Sequence, residues 1–147
     1  MVRIFDREPP PPAIQYYETV SGGQVGGMPL IGVNFCQAGF NIVAEFQIYE
    51  PMIVAGFWPI AADGLGNTYC CFSITKGEFP VGFIDPLVDP INPVFIAASS
   101  IEQLLLGMDD AGNNDGDWPR GSRAEARDPD RKRLDEIYQA HRPARGS

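Results

Sequence analysis

Apolar residues along this chain fall in short blocks separated by clusters of Gly, Pro and Asp. Ala13–Val20 (AIQYYETV) has the spacing of a short helix, and Ser21-Gly22-Gly23 supplies the left-handed residue that commonly ends one. Four prolines, Pro9–Pro12, precede it as a stiff polyproline leader. Asn41–Glu50 alternates imperfectly and fits either a strand or a short helix. Pro59–Asn67 reads as a turn-rich loop, and Thr68–Thr75 (TYCCFSIT) as a strand built of β-branched and aromatic residues. Lys76-Gly77-Glu78 is a tight turn into a return strand, Phe79–Ile84, which Pro80 marks as an edge or irregular strand. Asp85–Pro93 carries three prolines and reads as a loop.

The pattern then changes to a helical one. Ser99 or Ser100 is expected to cap the helix, Ser99-Ser100-Ile101-Glu102 fits a capping box, Ile101, Leu104 and Leu105 give an apolar stripe, and Gly107 is expected to end it. Asp109–Asp117 is a polar linker. Asp128-Pro129 opens a last helix, with an N-cap acid before a proline, in which Leu134, Ile137 and Tyr138 share one face. The expected organisation is a leader over 1–12, a folded body over 13–107, and a polar linker with a C-terminal helix over 108–147.

The 147 residues suit one hydrophobic core. Net charge is −8 and unevenly spread. Residues 1–107 hold ten acidic against three basic groups, net −7, whereas residues 108–147 hold nine against eight, net −1. The apolar, strand-rich part is therefore the acidic part. Such a body excludes a generic phosphate-binding surface, since affinity for nucleic acid comes largely from Lys and Arg, and it favours encounter with cationic partners. It also repels anionic membrane surfaces. The longest apolar run, Ile53–Ala62, is half a membrane span and contains Gly56 and Pro59. No basic region followed by an apolar stretch opens the chain, so the expected location is the cytoplasm. The three cysteines, Cys36, Cys70 and Cys71, form no closed disulfide set, which agrees with a reducing compartment.

Catalytic chemistry is thinly represented. His141 is the one imidazole and lies in the polar C-terminal segment, away from any Ser or Cys nucleophile motif. With one His and no C-x-x-C, no zinc site is expected, and no metal or other cofactor. Setting Gly116 at the sixth position of a calcium loop leaves Ala111 first and Ser122 twelfth, where ligands are required. Asp63, Glu78, Asp85 and Asp89, with Glu45 and Glu50, are the remaining acids. Asp63-Gly64, Asp85-Pro86 and Asp89-Pro90 read first as turn chemistry. No catalytic residue is assigned. A small carboxylate-based hydrolase stays as the alternative from another class, and would need two acids converging in one pocket.

One segment carries a family pattern. Phe57-Trp58-Pro59-Ile60-Ala61-Ala62-Asp63-Gly64-Leu65-Gly66-Asn67-Thr68-Tyr69-Cys70-Cys71-Phe72 resembles the central signature of the SMI1/KNR4 (SUKH) superfamily. Ile96 to Leu105 is similar to that family's downstream helix start, and Tyr16 to Gly23 to its upstream helix end. The order of the three blocks matches too. The family's longer first helix is replaced here by Pro9–Pro12, and its Asn before the paired glycines by Ser21. The resemblance implies an α+β fold, a mainly antiparallel β-sheet with helices packed on it. It also implies a role: bacterial members are typically immunity proteins that bind and neutralise cognate toxins, often nucleases, of polymorphic or contact-dependent systems, and eukaryotic members are regulatory adaptors. The expected partner is then a basic, nuclease-like protein toxin, with no direct contact to nucleic acid or membrane. Glu78, Asp85 and Asp89, with Phe83 as an apolar anchor, are the candidate contact residues. Asp63, Gly64, Gly66 and Asn67 are assigned to the turn before a central strand.

Overall fold

The computed structural model describes residues 6–20, 23–32, 40–42, 46–75, 77–113, 118–119 and 121–142. Helix α1 spans Pro11–Thr19. The last two prolines of the expected leader therefore belong to the helix, where a fixed φ and a missing N–H suit the first turn. Its expected stop at Ser21 and Gly22 lies outside the described residues. Short strands β1 (Gln24–Val25) and β2 (Met28–Pro29) pair antiparallel, and β3 (Ile31–Gly32) pairs parallel with β4 (Phe40–Asn41). Of the two readings open for Asn41–Glu50, the helix is realised from Phe46 onward: α2 runs Phe46–Val54 with Pro51 inside it.

The centre of the fold is an antiparallel sheet of β5 (Trp58–Ala62), β6 (Thr68–Cys71), β7 (Val81–Ile84) and β8 (Phe95–Ala98), in that spatial order. The protein is thus α+β, with helices packed on a mainly antiparallel sheet. Two sequence expectations are corrected here. Pro59–Ala62 is strand rather than loop: β5 lies on the outside of the sheet, where a residue without an N–H is tolerated, and a bulge falls between Pro59 and Ala61. Conversely, β7 is an inner strand, flanked by β6 and β8. Pro80 stands just before it, so the proline breaks no ladder bond.

Helix side chains finish both sides of the sheet. The bulge in β5 frees carbonyls that α1 takes up: Tyr16 donates its hydroxyl to the Ile60 carbonyl at 2.7 Å, and Tyr17 donates to that of Pro59. Two further helices, α3 (Ile101–Asn113) and α4 (Ser122–Arg127), lead to α5 (Asp130–His141), which lies along β8. Asp135 accepts the Ile96 N–H at 2.9 Å, and Arg131, itself buried, donates to the Ile96 carbonyl at 2.8 Å. Gln139 and Arg142 donate to the Val94 carbonyl, and Tyr138 to that of Pro93. Open strand edges recruit other strands, and here both edges are occupied.

Three local signals resolve differently from their sequence reading. Asp128 does not cap α5; its carboxylate accepts the Ser99 N–H at 2.8 Å and the Ser99 hydroxyl at 2.6 Å. With Ser99 engaged there, Ser100, of the two serines expected, caps α3 by accepting the Gln103 N–H, one residue later than the box places it. Gly107 sits inside α3 rather than at its end. A Cβ there would lie 2.2 Å from Nε1 of Trp118, so the glycine makes room for the indole. The helix continues through Asn113, across the expected boundary at 107/108 and into the segment read as linker, of which residues 114–117 lie outside the described residues. The main core gathers residues of α1, α2, the sheet and α3. A second cluster, Phe72, Ile96, Leu134 and Tyr138, seals α5 to the sheet.

Candidate functional site

The acids singled out by sequence sit in turns whose geometry their own side chains create. In the β5–β6 loop, Asp63 Oδ1 accepts the N–H of Leu65 at 2.7 Å and of Asn67 at 3.1 Å, while Oδ2 accepts the Asn67 amide at 2.6 Å. Gly64 (φ +82°) and Gly66 (φ +96°) take the left-handed conformations this turn needs. The four residues assigned to the turn therefore close it together. In the β7–β8 loop, Asp85 Oδ1 accepts the Leu87 N–H at 3.0 Å, and the Asp85 carbonyl accepts from Val88 and Asp89. Asp89 repeats the device, accepting from the backbone of Ile91 and Asn92 and from the Asn92 side chain.

Strand register puts both loops at one end of the sheet. Thr68 pairs with Ala62 on one side and with Ile84 on the other, so Asp63 and Asp85 each begin one residue beyond that row. Neighbouring strands are about 4.8 Å apart, which sets the loops side by side.

Glu78 is elsewhere. It lies in the β6–β7 turn at the far end of β7, about 13 Å away for four residues of strand. Arg133 of α5 donates to it at 2.5 Å and Thr75 at 2.7 Å, and Arg133 also pairs with Asp130. The Arg133 hydrogen bond, followed by that of Thr75, holds the Glu78 carboxyl below its ordinary value. The expected trio of Glu78, Asp85 and Asp89 is thus split between two ends of the sheet. Phe83 is half-buried, stacked on Phe95 at 5.0 Å and tilted against Tyr69 at 5.2 Å, and so packs into the sheet's aromatic row rather than standing out as an anchor.

The carboxylates fall into two electrostatic classes. Among the described residues the ion pairs take up Glu78, Asp110 and Asp130, each with an arginine of α4 or α5. Asp63, Asp85 and Asp89 enter none; half-buried, they are held by the neutral amides of their own turns. For Asp89, burial works to raise its carboxyl. The Asn92 and Ile91 amides, with Arg142 nearby, more than offset this, and it titrates below its ordinary range.

Two residues that sequence reasoning passed over complete this end. Leu65 is 84% exposed and Leu87 97%. Each stands two residues after its aspartate, and each gives that aspartate its backbone N–H. The available signal was a single leucine flanked by turn formers, in Asp63-Gly64-Leu65-Gly66 and Asp85-Pro86-Leu87-Val88.

The other reactive groups are placed for structure. Cys70 and Cys71 are buried; burial raises both thiols, that of Cys71 to about 12. Cys36 lies outside the described residues. His141 has its Nδ1 on the Ile137 carbonyl, beside a 400 Å³ hollow floored by Phe57, Phe72 and Tyr138, so helix backbone rather than a carboxylate orients the ring. A groove of about 440 Å³ separates α1 from α3. Among the described residues, no group of three or more His, Cys, Asp or Glu is arranged to hold a metal ion, and no helix is long and apolar enough to cross a membrane.

No protein-family model, no curated protein and no solved structure matches the chain.

Proposed function

We propose that this protein is a non-catalytic immunity protein of SUKH type, acting in the cytoplasm by binding and neutralising a cationic protein toxin, a nuclease before other classes. The observation that carries the reading is the sorting of its carboxylates. Glu78, Asp110 and Asp130 are compensated by arginine, while Asp63, Asp85 and Asp89, at one end of the sheet, enter no ion pair among the described residues. A nuclease must present basic groups to phosphate, so a rigid acidic surface complements it and accelerates encounter. Blocking a cleft requires tight one-to-one binding and no turnover. Charges held by backbone amides meet that need, because little is left to order on association. The resemblance of residues 57–72 to the family signature points the same way.

The test is co-expression with the C-terminal domain of a polymorphic toxin encoded beside this protein. Growth restored by the full chain, and a stoichiometric complex on size exclusion, are the expected results. Toxicity undiminished at matched expression, with no complex, contradicts the reading.

A further inference from the structure

We infer that Leu65 and Leu87 are the paired apolar anchors of this surface, and that its partner presents a cationic face enclosing an apolar cleft that receives both. The inference rests on the binding function proposed above and names the chemistry of the partner's contact.

The two leucines are held in the same way. In each loop an aspartate accepts the N–H of the leucine two residues on, which pulls the carboxylate inward under the turn and leaves the leucine at the tip. Positive-φ glycines on both sides of Leu65 give it no neighbouring side chain to fold against. Val88, 38% exposed, continues the apolar surface beside Leu87. The other large exposed apolar residues, Ile48, Val54 and Leu106, stand on helices and outside these turns.

A scattered exposed leucine needs no explanation. Two at neighbouring tips of one sheet end, each over a carboxylate outside any ion pair among the described residues, form an apolar centre with an acidic surround. Interfaces take their durability from desolvated apolar anchors and their steering from charges around them. The surround also selects the occupant. A second copy would bring Asp63, Asp85 and Asp89 against their own kind, whereas a basic face gains from all three.

The experiment measures association and dissociation rates of the adjacent-encoded toxin domain, as the probe, with full-length variants. Both leucines are solvent-exposed, so thermal midpoints are expected to stay at the wild-type value. L65S/L87S is expected to weaken binding about 100-fold, mainly through faster dissociation, with the salt dependence of association kept. L106S, on α3, is expected to bind as wild type. L87K is expected to bind more weakly than L87E, since the facing surface is cationic. Wild-type affinity in L65S/L87S, or L87E binding more weakly than L87K, overturns this surface while leaving the binding function standing. A dimer in solution that L87S disperses would assign the face to a second copy and overturn it as well. A wild-type chain that neither binds nor protects removes both proposals together.

Discussion

A carboxylate two residues before a leucine does two jobs in this chain: it closes a turn and leaves an apolar side chain in water. The closing was legible in sequence, because Asp-Gly and Asp-Pro act through bonds spanning two to four residues. The display was not, because exposure depends on what else covers a position. Phe83 shows the reverse case. An aromatic beside acids reads as an anchor, yet its ring is taken up by Phe95 and Tyr69 from other strands. The ion pair of Glu78 was hidden for the same reason, since its partner Arg133 is 55 residues away. Packing leaves no room for a side chain at Gly82 of β7, where a Cβ would lie 2.6 Å from Cβ and Cγ of Pro93 and 3.1 Å from the Phe72 ring. G82A is expected to lower stability by about 1–3 kcal/mol, the usual cost of overpacking, as a lower urea midpoint with unchanged slope.

At the scale of elements, helices cover both edges of the sheet, with a Leu30–Ala61 bridge beside them at β5. Tyrosines of α1 serve the bulged carbonyls of β5, and Arg131, Asp135 and Gln139 of α5 serve the strand β8 and the residue before it. D135A leaves the buried Ile96 N–H without its partner and opens the outer edge of β8. A loss of about 1–3 kcal/mol is expected, together with concentration-dependent association seen by light scattering. A monomeric D135A with wild-type stability would show that α5 is not needed to protect that edge. The strand pair β6–β7 and the helices α1, α3 and α5 were legible from periodicity and turn residues. β5 was not, because Pro59 and its two alanines lack β propensity and its place is set by Cys70 and Cys71 opposite. Nor was α4, which depends on Asp110 of α3 holding Arg123 and Arg127.

Across the whole molecule, the −8 charge is organised rather than spread. Arginines of α4 and α5 pair with Asp110, Asp130 and the turn residue Glu78, and the last pair has a pH consequence. The Arg133 guanidinium holds Glu78 below its ordinary 4.5, so the fold favours the ionised form. That contribution is complete above about pH 4.5 and is lost as pH falls through the lower folded value. E78Q is therefore expected to lower the unfolding midpoint at neutral pH, and to converge on wild type as the solution is taken towards pH 3. A difference between the two that grows on acidification contradicts the pairing. The opposite end of the sheet holds Asp63, Asp85 and Asp89 outside any ion pair among the described residues, and it is there that the proposed cationic partner would bind.

Backbone amide exchange of the full chain, free and saturated with the proposed toxin partner, measures this directly. New protection over 62–68 and 85–94, with Glu78 and the α1–α3 groove exchanging as before, is the expected result. Protection at Glu78 or along that groove, with both loops unchanged, contradicts it.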